Sequence, residues 1–287
     1  MAALDKDNIK ASKEFSFTPR DFSRVRDMIY QRAGISLSEN KQDMVYSRLA
    51  RRLRVLGLNS FTAYLDSLAV DVHNMEWEAF TNALTTNLTS FFRETHHFPI
   101  LADFVKHRHG DIQIWCSASS TGEEPYSIAM TVCEAFNSLT PPVKIIATDI
   151  DTNVLEVAAN GIYPVDRLEK MNSARVKRFF LKGKGANEGT VRVKQAVRDL
   201  VTFQPLNLLA TTWPLNTPFD VIFCRNVMIY FDKSTQAKIL TRFAPLLKAD
   251  GLLFAGHSEN FLNITNRFKL LSKTVYALNH VDDSVHS

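Results

Sequence analysis

Three cysteines in 287 residues, Cys116, Cys133 and Cys224, are too few and too widely spaced for a disulfide framework. They fall in predicted strands or a helix, so core packing in a reducing compartment is their expected role. No apolar run approaches the roughly 18 residues that a membrane span needs. The opening Met1-Ala-Ala-Leu-Asp-Lys-Asp lacks the apolar centre of a secretory leader. A cytoplasmic protein without direct membrane insertion is therefore expected. Repeats and low-complexity tracts are absent. So are G-x-G-x-x-G and the Gly-Lys-Ser/Thr of a P-loop, which count against dinucleotide and nucleotide phosphate sites. The missing G-x-S-x-G disfavours a Ser-His-acid hydrolase. His96-His97, His107 and His109 tempt as metal ligands, but no second cluster has suitable spacing, and no metal is expected.

What is present is ordinary for a globular protein: 45% hydrophobic residues, 22% charged residues and a net charge of +4. The mild positive excess suits an acidic partner without demanding nucleic acid. The length is comfortable for two domains. The first half reads as helical. Thr18-Pro19-Arg20-Asp21 combines a hydroxyl cap, a first-turn proline and an acid, and predicts a helix to about Ala33, stopped by Gly34. Further helices are expected from Asn40 to Leu56 before Gly57, from Ser60, from about Asn74 with Trp77, Phe80 and Leu84, and from Glu94 to His107.

From Asp111 strands and helices alternate. Strands are expected at Ile112–Ser117, Val143–Thr148, Leu200–Pro205, Val221–Cys224 and Leu252–Ala255, and helices at Pro125–Phe136, Thr152–Asn160 and Lys233–Leu247. Phe268–Leu271 and Val275–Leu278 read as a closing antiparallel hairpin. This alternation predicts a doubly wound, mostly parallel sheet.

In such a sheet ligands bind beyond the carboxyl ends of the strands. The run Phe219-Asp-Val-Ile-Phe-Cys-Arg-Asn-Val-Met-Ile-Tyr230 is a buried strand that ends abruptly in Arg225 and Asn226, with Tyr230 close behind. The turn after the first strand, Ser117-Ala-Ser-Ser-Thr-Gly-Glu-Glu-Pro125, puts Glu123 and Glu124 in the first turn of the next helix. Carboxylates there repel phosphate and welcome a ligand with ammonium and sulfonium charge; S-adenosylmethionine has both. Asp149 ends the second strand, where an acid can accept from both ribose hydroxyls. Asn207-Leu208 ends the third and suits an adenine pocket. Taken singly, each has a plainer reading as a helix cap or core residue; four consecutive polar strand ends favour an adenosine-containing ligand.

At this point the chain resembles the chemotaxis receptor glutamate methyltransferases, the CheR family. The resemblance runs from about Thr18 to Leu278. Its motifs are Thr85-Thr-Asn-Leu-Thr-Ser-Phe-Phe-Arg93, Ser119-Ser-Thr-Gly-Glu-Glu-Pro-Tyr-Ser127, Ala147-Thr-Asp-Ile-Asp151, Cys224-Arg-Asn-Val-Met-Ile-Tyr-Phe231 and Gly256-His-Ser-Glu259. It implies an all-helical domain over 14–90 and a Rossmann-like domain binding S-adenosylmethionine over 91–280, with a small β-subdomain inserted at 180–194. It implies cofactor contacts at Asn87, Thr89, Arg93, Glu124, Asp149, Asn207, Leu208, Arg225 and Asn226, with S-adenosylhomocysteine as the product. The reaction it implies is esterification of receptor glutamates. That needs in-line placement rather than a general base, because a glutamate of pKa about 4.3 is already ionised at neutral pH. Arg93 and Tyr230 are the candidates for orienting the attacking carboxylate. The expected partner is the cytoplasmic part of a chemoreceptor, met by a monomer.

Two surfaces could read that partner. Arg48, Arg51 and Arg54 recur along the second helix, with Lys41 and Arg52 nearby; acidic receptor helices could dock there, although a charge stripe is more often solvated surface. Phe180-Leu-Lys-Gly-Lys-Gly-Ala-Asn-Glu-Gly-Thr-Val-Arg192 suggests turns between short strands. By resemblance, Gly183, Gly185, Gly189 and Arg192 would hold the receptor's carboxyl-terminal tail by strand addition; Lys182 stands where arginine is expected. Two other functions stay open on the residues alone. One is a nucleic-acid methyltransferase, faintly suggested by Asn226 and Tyr230; the other is a non-catalytic module that senses the cofactor. His257 and Glu259 receive no role.

Overall fold

The computed structural model describes residues 13–215 and 218–279. The opening segment read above, residues 1–7, and residue 280 lie outside them. The helical part contains α1 (Pro19–Ala33), α2 (Gln42–Leu56), α3 (Phe61–Val70) and α4 (Glu76–Leu84). The start of α1 follows from its cap. Thr18 Oγ1 accepts from the Asp21 amide at 3.1 Å, and the Asp21 carboxylate accepts from the Thr18 amide at 2.9 Å. Gly34 closes the helix in the left-handed region, at φ 68°. A Cβ there would lie 2.3 Å from Leu209, so the glycine also allows close approach to the second domain. Ser60 caps α3 as expected. Val25, Ile29, Val45, Leu49, Leu53, Phe61, Leu65 and Phe80 form the core of this bundle.

The second part contains α5 (His97–Lys106), β1 (Ile112–Cys116), α6 (Glu123–Ala135), β2 (Val143–Asp149), α7 (Thr152–Asn160), β3 (Ile162–Pro164), α8 (Ser173–Phe179), β4 (Phe180–Lys182), β5 (Thr190–Val193), α9 (Gln195–Arg198), β6 (Val201–Pro205), β7 (Phe219–Cys224), α10 (Lys233–Phe243), β8 (Leu247–Ala255), β9 (Phe268–Ser272) and β10 (Val275–Leu278). The main sheet runs β6-β2-β1-β7-β8-β10-β9. The first five of these strands are parallel, and β10 and β9 close the edge antiparallel. All six residues of β7 are buried, because helices cover both faces of the sheet. The α5 and α6 side carries Leu101, Val105 and Ile128, while the α10 side carries Ile239, Leu240 and Phe243.

Three expectations need correction. The helix expected from Glu94 starts three residues later, at His97, since Phe92 and Glu94 have φ of 53° and 55°. The helix expected to reach Leu247 stops at Phe243 before a short 3-10 turn containing Pro245, and β8 begins at Leu247 rather than Leu252. The small sheet has order β3-β5-β4, so it also recruits Ile162–Pro164, which the sequence reading passed over.

Candidate active site

The carboxyl ends of β6, β2, β1 and β7 lie side by side, and a cavity of about 580 Å³ opens over them. Its size is that of a small-molecule site. The structure brings all the expected cofactor residues to its walls. Asn87, Thr89 and Arg93 come from the interdomain linker; Glu124, Asp149, Arg225 and Asn226 form the sheet side; Asn207 and Leu208 follow β6. Tyr230 lines it too. The helical domain supplies the remaining wall through Ala33, Ser36, Met44 and Arg48.

Arg225 organises the floor. Its side chain is fully buried, and Nη1 donates to Glu124 Oε2 at 2.6 Å. Nη2 donates to the Arg93 carbonyl and lies 3.4 Å from Glu94 Oε2. Glu124 Oε1 accepts from the Cys116 thiol at 3.4 Å. Burial raises the Glu124 pKa, with the Arg225 guanidinium pulling the other way. The first-turn glutamates are therefore not the bare pair of anions that the sequence suggested. Glu124 is already paired, and Glu123 is buried away from the cavity, bonded to Thr121 and 3.6 Å from Arg167.

Asp149 is differently placed. Its Oδ2 accepts from the Ser120 amide at 2.8 Å and its Oδ1 from the Asp151 amide at 3.0 Å. Each oxygen keeps room for another donor. Burial lifts its pKa to about 6, although both amides favour the ionised form. Asp151, not Asp149, caps α7. The other oxygen of Asp151 accepts from Thr85 at 2.7 Å and from Asn87 Nδ2 at 2.8 Å, which ties the linker to the sheet. Asn207 is likewise a strut: Nδ2 donates to the Arg32 carbonyl at 2.8 Å and Oδ1 accepts from the Leu209 amide at 2.9 Å.

Two important residues were missed or left without a role. Glu259 accepts from the amides of Asn226, Val227, Met228 and Gly256. Three of these bonds hold the sharp turn after β7, where Asn226 adopts φ 58°, and the fourth ties it to the end of β8. A Cβ at residue 256 would meet Asn226 Nδ2 at 2.4 Å and Glu259 Oε2 at 2.7 Å, so only glycine fits beside this carboxylate. Glu94 joins the linker to two strand ends, accepting from Asn226 Nδ2 at 3.3 Å and from the His257 amide at 3.1 Å, with His257 Nδ1 at 3.0 Å. Burial works against its charge, but His257 and Arg225 prevail and bring its pKa down to about 2. Apart from Gly256, three residues before Glu259, the partners named for these two carboxylates are 31 to 163 residues away, so local sequence does not mark either role.

Arg93 and Tyr230 approach the cavity from different walls. Arg93 Nη1 donates to the Leu88 carbonyl at 3.0 Å. Tyr230 ends the 3-10 turn Met228–Tyr230, and its carbonyl accepts from the Ser36 amide of the helical domain at 2.8 Å. Glu94, His96 and His97 bring three potential ligand atoms within 4.8 Å of one another. Burial, then Arg225 and His96, hold His97 neutral with a pKa of about 3. The guanidinium of Arg225 already faces the Glu94 carboxylate with positive charge.

The arginine stripe on α2 is not one surface. Arg48 turns inward, donating to the Ala83 and Thr85 carbonyls and lining the cavity. Arg54 pairs with Glu14 at 2.7 Å, and Arg52 with Glu76 at 2.7 Å; Arg51 is exposed. Three residues apart on a helix means a 60° step backwards at each repeat, so Arg48 and Arg54 face different ways. In the small sheet, Gly183 follows β4, where a Cβ would lie 2.0 Å from the Asn187 carbonyl oxygen; Gly185 and Gly189 have φ of 57° and 80°. Arg192 lies on the central strand β5, and its Nε donates to the Asn160 carbonyl at 3.3 Å.

Comparison with known proteins agrees with this architecture. Residues 20–85 match the all-alpha domain of the CheR methyltransferases and residues 87–277 their SAM binding domain. A chemotaxis protein methyltransferase of Escherichia coli is 53% identical over 270 residues, 94% of each chain. One from Klebsiella aerogenes is 56% identical over 257 residues, covering 90% of this chain and 89% of that one. Chemotaxis protein methyltransferase 2 of Pseudomonas aeruginosa is 52% identical over 269 residues, covering 93% and 95% respectively. With both domain models in order and identity above half across nearly the full length, this chain belongs to the CheR family of S-adenosylmethionine-dependent methyltransferases.

Proposed function

We propose that the chain methylates glutamate side-chain carboxylates of chemoreceptors, giving glutamate 5-O-methyl esters during sensory adaptation. The observation that carries this reading is the meeting of Arg93, from the linker, and Tyr230, from the turn after β7, at one cavity. One is a cation and the other a hydrogen-bond donor, which is what a carboxylate nucleophile needs for orientation. Neither is needed as a base, because a glutamate is ionised at neutral pH.

The residues present fit the cofactor. The two free lone-pair positions of Asp149 suit the vicinal hydroxyls of a ribose. Asn207 and Leu208 would border the adenine, and Asn87, Thr89 and Asn226 would supply polar contacts along the cavity. Arg225 would act through Glu124, holding that carboxylate toward the amino-acid end of the ligand. When bound, S-adenosylmethionine supplies a sulfonium methyl group and leaves as S-adenosylhomocysteine. Arg93 holds one oxygen of the target carboxylate and leaves the other free to attack. Tyr230 fixes the angle of approach. Shielding the site from water favours a reaction in which opposite charges neutralise. No metal enters this scheme.

The division at about residue 90 makes the linker one wall of the site. Arg51 and Arg54 on α2 would meet the acidic receptor surface. The edges of the small sheet beside Gly183, Gly185, Gly189 and Arg192 would take the receptor's carboxyl-terminal tail as an added strand. A cytoplasmic monomer acting on protein rather than nucleic acid is the form proposed.

The test is incubation with methyl-labelled cofactor and receptor-containing membranes, followed by alkali. Label released by alkali is the expected ester; alkali-stable label, or transfer to RNA or DNA instead, would overturn the reading. Arg93→Ala and Tyr230→Phe should each slow single-turnover transfer by about 10²-fold, the scale of lost positioning, with much smaller changes in cofactor Kd. Unchanged single-turnover rates would remove both from the role.

A further inference from the structure

We propose that Leu88 and Ile229 form an aliphatic rim that selects substrates in which the target glutamate has an aliphatic neighbour. This rests on the proposed carboxylate methylation and specifies its substrate. Leu88 is 80% exposed and Ile229 is 50% exposed, and both line the cavity. Single exposed aliphatics are normal on a protein surface. These two differ because they come from separate walls of one cavity and each adjoins a candidate reactive residue. The Leu88 carbonyl accepts from Arg93 Nη1 at 3.0 Å, and Ile229 directly precedes Tyr230.

The backbone around both residues is tied down. Ser120 Oγ donates to the Asn87 carbonyl at 3.0 Å and Arg167 Nη1 to the Thr89 carbonyl at 3.3 Å, so three consecutive carbonyls of the linker are engaged. On the other side, the Met228 amide donates to Glu259 at 2.7 Å and the Met228 carbonyl accepts from Gln236 at 2.8 Å. The Tyr230 carbonyl accepts from Ser36. Aliphatic side chains held out on fixed backbone lose little entropy on contact with a partner. Arg93 and the exposed Lys41 line the same cavity, so the mouth is cationic as well as apolar. The chemistry that complements it is an acidic amphipathic segment. Its glutamate enters toward Arg93 while an adjoining alanine, valine or leucine rests on Leu88 and Ile229.

The experiment compares the wild-type chain with Leu88→Ser, Ile229→Ser and the double variant on a receptor substrate, measuring KM, kcat and cofactor Kd. The double variant should raise the receptor KM about tenfold by losing apolar contact, with kcat changing less and cofactor Kd within about twofold. Two receptor fragments differing only by alanine or serine beside the glutamate should be distinguished by the wild-type chain and not by the double variant. An unmoved KM in the double variant overturns the rim while leaving the methylation reading intact. A cofactor Kd that weakens in step with KM also overturns it, by assigning Leu88 to the cofactor wall. Absence of receptor methylation by the wild-type chain overturns both.

Discussion

The Arg225 guanidinium meets Glu124 at 2.6 Å and Glu94 at 3.4 Å, with its side chain fully buried, so removing it strands two carboxylates away from water. Breaking a buried ion pair on one side costs roughly 3–5 kcal/mol. Arg225→Met should lose about that much stability in chemical denaturation, and adding Glu124→Gln should restore part of it by removing one stranded charge. If the double variant is no more stable than the single, the cost lies elsewhere. Asp149 gives a prediction in pH. Its carboxyl, lifted to about 6 by burial, is a charged acceptor at both oxygens only when ionised, so cofactor affinity should weaken as pH falls through 6. The limiting slope is about tenfold in Kd per unit for one proton, and Asp149→Asn should flatten it. Stability runs the other way at this residue. A folded-state pKa raised above the unfolded value means that its stabilising share is full below the ordinary aspartate range and is lost as pH rises toward 6. Calorimetric titration of the cofactor from pH 5 to 8 checks the first trend.

At the scale of elements, α10 joins local and long-range order. Asp232 caps it by accepting from the Thr235 amide at 2.7 Å, and its other oxygen accepts from the Tyr30 hydroxyl on α1. Asp232→Ala should cost about 1 kcal/mol for the cap alone, whereas Tyr30→Phe, which keeps the cap, should cost less. Equal losses would mean that the interdomain bond, not the cap, dominates. Elements of this kind were legible because their causes are local: the Thr18 box, Gly34, Gly57 and Ser60 mark helix ends within a turn. The parallel strands were legible from unbroken apolar runs such as Val221–Cys224. What was not legible had distant causes. Residues 94–96 carry good helix-forming neighbours, but Glu94 is drawn into a left-handed conformation with partners at Arg225, Asn226 and His257. Ile162–Pro164 becomes a strand only because β5, some 30 residues later, pairs with it. The site showed the same division. Residue types at strand ends pointed to the cavity wall, while the burial of Glu123 and the role of Glu259 depend on packing that no short motif records.

For the whole molecule, the consequential feature is that the cavity belongs to neither domain alone. Arg48 grips the Ala83 and Thr85 carbonyls at the seam, Thr85 and Asn87 grip Asp151, and Ser36 holds the Tyr230 carbonyl. A change at the seam should therefore be felt at the cofactor, and a change on the outer face of α2 only by the receptor. Arg48 and Arg51 make the cleanest pair, being three residues apart on one helix, the first lining the cavity and the second exposed. Arg48→Ala frees two carbonyls and loosens a cavity wall, so cofactor Kd should rise several-fold and stability should fall by about 1.5–3 kcal/mol, the usual loss for a hydrogen bond from a charged donor. Arg51→Glu leaves the cavity untouched. It should keep cofactor Kd and melting temperature unchanged while raising the receptor KM at low salt, a difference that shrinks as ionic strength screens the surface. Measuring cofactor binding by calorimetry and methylation at two salt concentrations separates the cases. Identical behaviour of the two variants in both assays would mean that α2 acts as one charged face, and that the inward turn of Arg48 has no energetic weight.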